Sequence, residues 1–259
     1  MTVHAGVRSE RDAQLLRQEG IATLQPLLLD VAQPESIQAA RAELELRCGP
    51  DGLRALINNA GINYVAPFEL ADETKVRNLM EVNVFGLINT TRALLPLLHR
   101  YAQQHPGQGR ILNVGSIGSA FGLPWEFSYH ASKFAVLGLS QSLRFELEPL
   151  GIWVSCVMPG GIRTRFFEKT RQSTDAAAVP PGIAHEAYYR RNLENVGQTV
   201  ARFEGMGSEA GLVARRMESL ILARRPGLRV LVGMDAKLFY FLIRWGLEGF
   251  LVRRAFMKR

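Results

Sequence analysis

Short apolar runs alternate with amphipathic stretches from the first residues to the last quarter of the chain. VHAGV (Val3 to Val7) has strand length, and SERDAQLLRQEG reads as a helix capped by Ser9 and stopped at Gly20. TLQPLLLD is an apolar run ending in Asp30, and PESIQAARAELELRCG begins a second helix with Pro34 in its first turn and closes it at Gly49. LRALINNAG (Leu53 to Gly61) supplies a third strand, and the stretch from about Asp72 to Tyr101 reads as one long helix bent near Pro96. ILNVG (Ile111 to Gly115) is a fourth strand. The residues from Tyr129 to about Leu147 favour helix, ended by Pro149 and Gly151, and IWVSCVMP (Ile152 to Pro159) is a fifth strand. A long irregular section then precedes a helix around Gly211 to Arg225 and a last strand, RVLVG. Strands alternating with helices of these lengths predict an α/β fold: a doubly wound parallel sheet with helices on both faces. No repeat or linker divides the chain, so residues 1–259 are read as one domain, with 235–259 a basic amphipathic tail.

Ligands of such sheets bind beyond the carboxyl ends of the strands. Asp30, Asn59, Ser116 and Pro159 fall at those ends, so four separated segments are expected to converge on one crevice. The net charge of +7 suits an anionic ligand such as a nucleotide phosphate, or an acidic membrane surface. The arginines are scattered and no nucleic-acid-binding motif accompanies them, so no nucleic-acid partner is expected. Cys48 and Cys156 make neither a disulfide framework nor a metal-ligand spacing, which fits a reducing compartment and predicts no metal. MTVHAGVRSERDAQ lacks the apolar core of a signal peptide, and no apolar run spans a bilayer, so a cytoplasmic location is expected.

The candidate chemistry lies in SIGSAFGLPWEFSYHASK, Ser116 to Lys133. On a helix Tyr129 and Lys133, four apart, share one face about one turn from each other. An ammonium beside a phenol favours the phenolate and lowers its pKa, so that it exchanges a proton near neutral pH. Ser116, at the end of a buried strand, is placed to hold a substrate oxygen. Taken alone the pair also fits an ordinary surface helix.

NNAG at Asn58 to Gly61, Asn83 in VNVFG, Ser116, YHASK at Tyr129 to Lys133, and PGGIRT at Pro159 to Thr164 occur in the order in which the short-chain dehydrogenase/reductase family carries them, and from Val3 to about Gly233 the sequence resembles that family. The resemblance implies a Rossmann-like sheet and an NAD(P)-dependent oxidoreductase. Tyr129 would be the general acid or base, and Ser116 would orient the substrate oxygen. Lys133 would lower the Tyr129 pKa and hold the nicotinamide ribose, and Asn83 would support a proton relay. Cofactor contacts would come from Asp30 and Val31 at the adenine edge, from Asn59, Ala60 and Gly61 at the ribose side, and from Pro159, Gly160, Ile162 and Thr164 near the carboxamide. Arg8, just after the first strand, would accommodate the phosphate of NADP rather than favour NAD.

One departure stands out. The family's opening strand and its glycine-rich Thr-Gly-x-x-x-Gly-x-Gly turn are not found, and the match at Gly205, Gly207 and Ala210 follows no apolar strand. That strand lies centrally in the family's sheet, so unpaired edges and weakened NADP(H) binding are expected, and a non-catalytic binding or scaffold protein stands as the alternative function. Phe121, Leu123, Pro124, Trp125, Phe127, Phe166, Phe167, Tyr188 and Tyr189 would line a pocket for a small lipophilic substrate of steroid, retinoid or fatty type, the segment being most similar to hydroxysteroid and retinol dehydrogenase relatives. KLFYFLIRWGLEGFLVRRAFMKR, from Lys237, would form a helix in a membrane interface or dock on the body. The resemblance also implies a homo-oligomer through the helices carrying Asn83 and Tyr129.

Overall fold

The computed structural model describes residues 1–164, 166, 168, 170, 179–247, 249 and 252, with backbone alone for 197–206. Strands β1 (Val3–Val7), β2 (Leu24–Leu28), β3 (Ala55–Asn58), β4 (Gly109–Val114) and β5 (Ile152–Pro159) alternate with helices α1 (Glu10–Gln18), α2 (Pro34–Cys48), α3 (Glu73–Met80), α4 (Gly86–Gln104) and α5 (Phe127–Leu147). The local signals act as expected. Ser9 accepts a hydrogen bond from the Asp12 amide at the start of α1, Gly20 turns the chain at φ 67°, and Pro34 occupies the first turn of α2.

Every strand pair is parallel, and helices pack on both faces of the larger sheet. One face buries Ile111, Ile152 and Val154 under Leu97 and Leu98 of α4; the other buries Leu112 and Val157 under Met217, Leu220 and Ile221. Those last three belong to α7 (Ala210–Leu222), which precedes β8 (Arg229–Val232) and α8 (Met234–Arg244). Arg110, fully buried, donates to the carbonyls of Leu220 and Ala223 and so ties the end of α7 to β4. Beside the carboxyl ends, Asn58 Nδ2 donates to Asn113 Oδ1 (2.8 Å) and Thr91 Oγ1 (2.9 Å), while Asn113 Nδ2 donates to Ser140 Oγ (3.0 Å). This satisfied buried network pins the β3–β4 register, in which Asn58 faces Asn113, directly below the site.

The hydrogen-bonded sheet is not continuous. β1 pairs with β2 as one unit and β3–β4–β5–β8 form another, so among the described residues β1 and β3 each present an unpaired edge. The expected unpaired central edges are therefore present. Packing, not backbone bonding, joins the two units: Leu27 of β2, Ala40 and Leu44 of α2, and Leu56 of β3 share one apolar cluster with α4.

Two further readings need correction. The stretch from Asp72 to Tyr101 is not one bent helix but α3 and α4 joined through a π-turn at Glu81–Phe85, while Pro96 is accommodated inside α4. The supposedly irregular section holds α6 (Glu186–Met206), and a two-stranded pair, β6 (Ile162–Arg163) with β7 (Ser208–Glu209), brackets it. An i,i+4 ion pair, Arg190 to Glu186, supports the first turn of α6. Gly197 and Gly205 within that helix mask it in the sequence.

Candidate active site

β4 ends at Val114, and the chain turns through Ser116, whose hydroxyl accepts from the Gly118 amide (3.0 Å) while its own amide donates to Ser119 Oγ (3.2 Å). Ser116 is thereby fixed at the mouth of a cavity of about 690 Å³, inside the size range of small-molecule sites. Asn59, Gly61, Ser116, Tyr129, Lys133, Pro159, Gly160, Ile162 and Thr164 all line it. These residues come from the ends of β3, β4 and β5, from α5 and from β6 and its flanks.

Tyr129 and Lys133 share a face of α5 as the spacing predicts, with Lys133 Nζ 5.7 Å from the centre of the Tyr129 ring. Lys133 is buried and donates to the Val114 carbonyl at 2.9 Å. Three N–H hydrogens against that one acceptor leave donors for a ligand. Burial lowers the Lys133 pKa to about 8, with the Cys156 thiol acting weakly against it. The Tyr129 phenol departs from the expectation. Burial pushes it up to about 12; a hydrogen bond with Ser116 works downward and the Glu126 carboxylate upward. Desolvation outweighs any help from the ammonium, so the phenol holds its proton at neutral pH.

Asn83 sits in the π-turn, 2% exposed. Its Oδ1 accepts from the Ile62 amide (2.8 Å), and its Nδ2 donates to the Ile62 carbonyl (2.9 Å) and to Ser132 Oγ (3.0 Å). Ser132 in turn donates to the Tyr129 carbonyl at 2.7 Å. Asn83 therefore clamps the irregular segment that follows NNAG to the helix bearing the phenol. Ser132 was missed, although it lies inside YHASK.

Three expected cofactor contacts, Arg8, Asp30 and Val31, do not line the cavity, and neither does Ala60. The predicted convergence of Asp30 with Asn59, Ser116 and Pro159 therefore holds for three of the four. The reason is the break in the sheet: β1 and β2 deliver Arg8, Asp30 and Val31 on a unit not bonded to β3. Asp30 Oδ1 accepts from the Ala32 amide (3.0 Å), and Val31 packs so tightly on Gly86 that a Cβ there would meet the Val31 carbonyl at 2.8 Å. Among the apolar candidates Phe121, Leu123, Pro124 and Phe166 line the cavity, whereas Trp125 packs on Tyr188 and Tyr189, and Phe127 on Phe68. Phe167 lies outside the described residues, as does most of the tail beyond Leu247. Polar residues singled out by no sequence signal also line the cavity, among them Asn63, Glu126, His130 and Asp235.

The donor set fits the nicotinamide end of a dinucleotide, with a buried ammonium, the Thr164 hydroxyl and backbone at Pro159 and Gly160 around one space. No group of three or more metal-ligating side chains occurs among the described residues.

The short chain dehydrogenase family model matches residues 2–175. Similar proteins include bovine dehydrogenase/reductase SDR family member 9 from Bos taurus, 34% identical over 92% of this chain and 74% of the relative. Retinol dehydrogenase 16 from Homo sapiens is 32% identical over 93% of this chain and 75% of its own length. A short-chain dehydrogenase structure from Streptomyces avermitilis superposes with a TM-score of 0.77 at 26% identity, covering 97% of this chain and 86% of that one. The matched motifs, the parallel sheet and these similarities agree: the chain belongs to the short-chain dehydrogenase/reductase family and is an NAD(P)-dependent oxidoreductase.

Proposed function

We propose that this oxidoreductase interconverts an alcohol and a carbonyl on a lipophilic substrate of steroid, retinoid or fatty type, with NADP preferred over NAD and Tyr129 as general acid and base. The observation that carries the reading is a phenol inside a largely apolar cavity, bonded to a serine hydroxyl and one helical turn from a buried ammonium. Ser116 holds the substrate oxygen, and Tyr129 gives a proton to it or takes one from it. Burial keeps the phenol protonated at neutral pH, so the resting site holds a proton to deliver to a carbonyl oxygen. NADPH would supply the hydride in reduction and NADP would accept it in oxidation. Lys133, Thr164 and the Pro159–Gly160 backbone would hold its nicotinamide end, and Arg8, exposed just beyond β1, the phosphate on its adenosine ribose. A relative named 17-beta-hydroxysteroid dehydrogenase type 6, from Rattus norvegicus and 30% identical, supports the substrate class.

The test is turnover of retinol, a steroid alcohol and a medium-chain secondary alcohol, with NADP and NAD in parallel, followed by nicotinamide absorbance. At least one lipophilic alcohol should react, about tenfold more efficiently with NADP; reaction of none, or of small hydrophilic alcohols only, would overturn the reading.

The same reading extends to two surfaces. On α8 the exposed residues Met234, Leu238 and Phe241, with Trp245 just beyond, recur along one stripe, while Phe239 and Ile243 on the other side line the cavity. No helix among the described residues is long and apolar enough to cross a membrane. A stripe of this kind beside Lys237 and Arg244 suits an anionic lipid surface. Cosedimentation with phosphatidylserine vesicles is expected, weakened about tenfold by Trp245→Glu; equal binding of the variant would dismiss this contact. Exposed Phe85, Phe134 and Phe145, on the helices carrying Asn83 and Tyr129, support association with a second copy there.

A further inference from the structure

Beside Tyr129 the cavity wall carries a polar corner that the acid–base reading does not use. Trp125 adopts φ 72°, a left-handed conformation that a bulky residue rarely takes. Its carbonyl accepts from the Ala66 amide at 2.8 Å, and its indole packs on Tyr188 and Tyr189, so the strain is held in place. The turn delivers Glu126 to the start of α5. Its carboxylate, 14% exposed, does not cap that helix. Instead one oxygen accepts from Asn63 Nδ2 at 2.8 Å, and the other faces His130 Nε2 at 3.6 Å, too far for a hydrogen bond.

His130 is 6% exposed and its orientation is fixed, because a Cβ on Gly118 would strike the ring at 2.9 Å. Its Nδ1 lies 3.0 Å from the Gly118 carbonyl. A carbonyl only accepts, so Nδ1 carries the hydrogen, and in the neutral ring Nε2 is a lone pair. Nε2 is buried and has no hydrogen-bond partner among the described residues. Two acceptors, one of them a carboxylate oxygen, therefore stand 3.6 Å apart on two residues that line the cavity.

We infer that Glu126 and His130 form a second recognition point, which binds a hydroxyl or amino group carried by the substrate next to its reacting carbon. This rests on the reading of the cavity as the substrate site. Atoms 3.6 Å apart can both be reached by one nitrogen or oxygen at ordinary hydrogen-bond distances. An amino or ammonium group donates to both, and a hydroxyl donates to the Glu126 carboxylate. The His130 ring packs against the Tyr129 ring at a centroid distance of 5.7 Å and the Glu126 charge reaches the phenol, so the second group lies close to the reacting carbon. The substrate class is thus a lipophilic vicinal diol or amino alcohol, or the corresponding hydroxy- or aminoketone, its hydrocarbon part lying along Phe121, Leu123 and Ile243. A donor on Glu126 also offsets the charge that pushes the Tyr129 phenol upward, so the fitting substrate eases proton release.

The test is titration of tryptophan fluorescence, to which Trp125 contributes, with decan-2-ol and decane-1,2-diol on the full chain. The diol should bind about tenfold more tightly, as expected of a hydrogen bond to a charged group. Glu126→Gln keeps an oxygen for Asn63 and removes the charge, and should reduce the preference to about onefold. Equal binding of the two alcohols by the unmodified chain, or an undiminished preference in Glu126→Gln, would overturn the inference and leave the lipophilic reading standing. Binding of neither alcohol would remove both.

Discussion

Tyr129→Phe lowers kcat by about three orders of magnitude, within the range attributed to general acid–base catalysis, and leaves nicotinamide binding within about twofold. Only the hydroxyl is removed. The ring stays wedged between His130 and Phe166, at centroid distances of 5.7 and 5.8 Å, so the cavity wall keeps its shape. Ser116 loses its phenolic partner but keeps the Gly118 amide. The loss therefore falls on proton transfer rather than on binding, and single-turnover kinetics beside fluorescence titration of NADPH separate the two. Residual kcat within about tenfold of the unmodified enzyme would end the assignment of Tyr129 as acid and base.

Lys133→Met acts in opposite directions on activity and on stability. Loss of the ammonium removes the proposed cofactor contact and the charge beside the phenol, and turnover should fall about a hundredfold. Stability follows linkage. The folded Lys133 has a pKa of about 8, below its ordinary 10.5, so between those values the unfolded chain holds a proton that the folded chain has released. The Lys133 contribution to stability therefore rises with pH through this window, by on the order of 3 kcal/mol if the whole shift is expressed. Tyr129 has the opposite sign. Its phenol is raised from 10 to about 12, so above pH 10 the unfolded chain ionises first and stability falls. The buried Cys156 thiol, raised from 9 to about 11, acts in the same sense as Tyr129 from pH 9 upward, so the net rise is confined to about pH 8 to 9. Urea unfolding across that interval should show it in the unmodified protein and not in Lys133→Met; parallel curves for the two would contradict a buried, strained ammonium.

The parts of the molecule governed by local rules were legible. Ser9, Gly20 and Pro34 mark helix ends through caps and fixed dihedrals, and apolar runs such as ILNVG mark buried strands wherever the sheet is covered on both faces. Tyr129, Lys133 and Ser116 share one cavity because an i,i+4 spacing and a strand end are local facts too. The π-turn at Asn83 was not legible, since one extra residue in a helical turn leaves the apolar period almost undisturbed. Nor was α6, whose internal glycines imitate a loop. The direction of the Tyr129 shift also escaped, because spacing places a charge but says nothing of how dry its surroundings are. Asn63 and Glu126 meet across 63 positions of chain, a pairing made by tertiary structure alone.

The interruption between β1 and β3 divides labour within the molecule. Arg8, Asp30 and Val31 ride on one hydrogen-bonded block, while Ser116, Tyr129 and Lys133 ride on the other. Leucine packing such as Leu27 with Leu56 couples the blocks, and packing of this kind, unlike a ladder of amides, has no preferred direction. Small slippage at that seam would alter how far a long ligand must stretch from end to end, while the distances among phenol, hydroxyl and ammonium stay as they are.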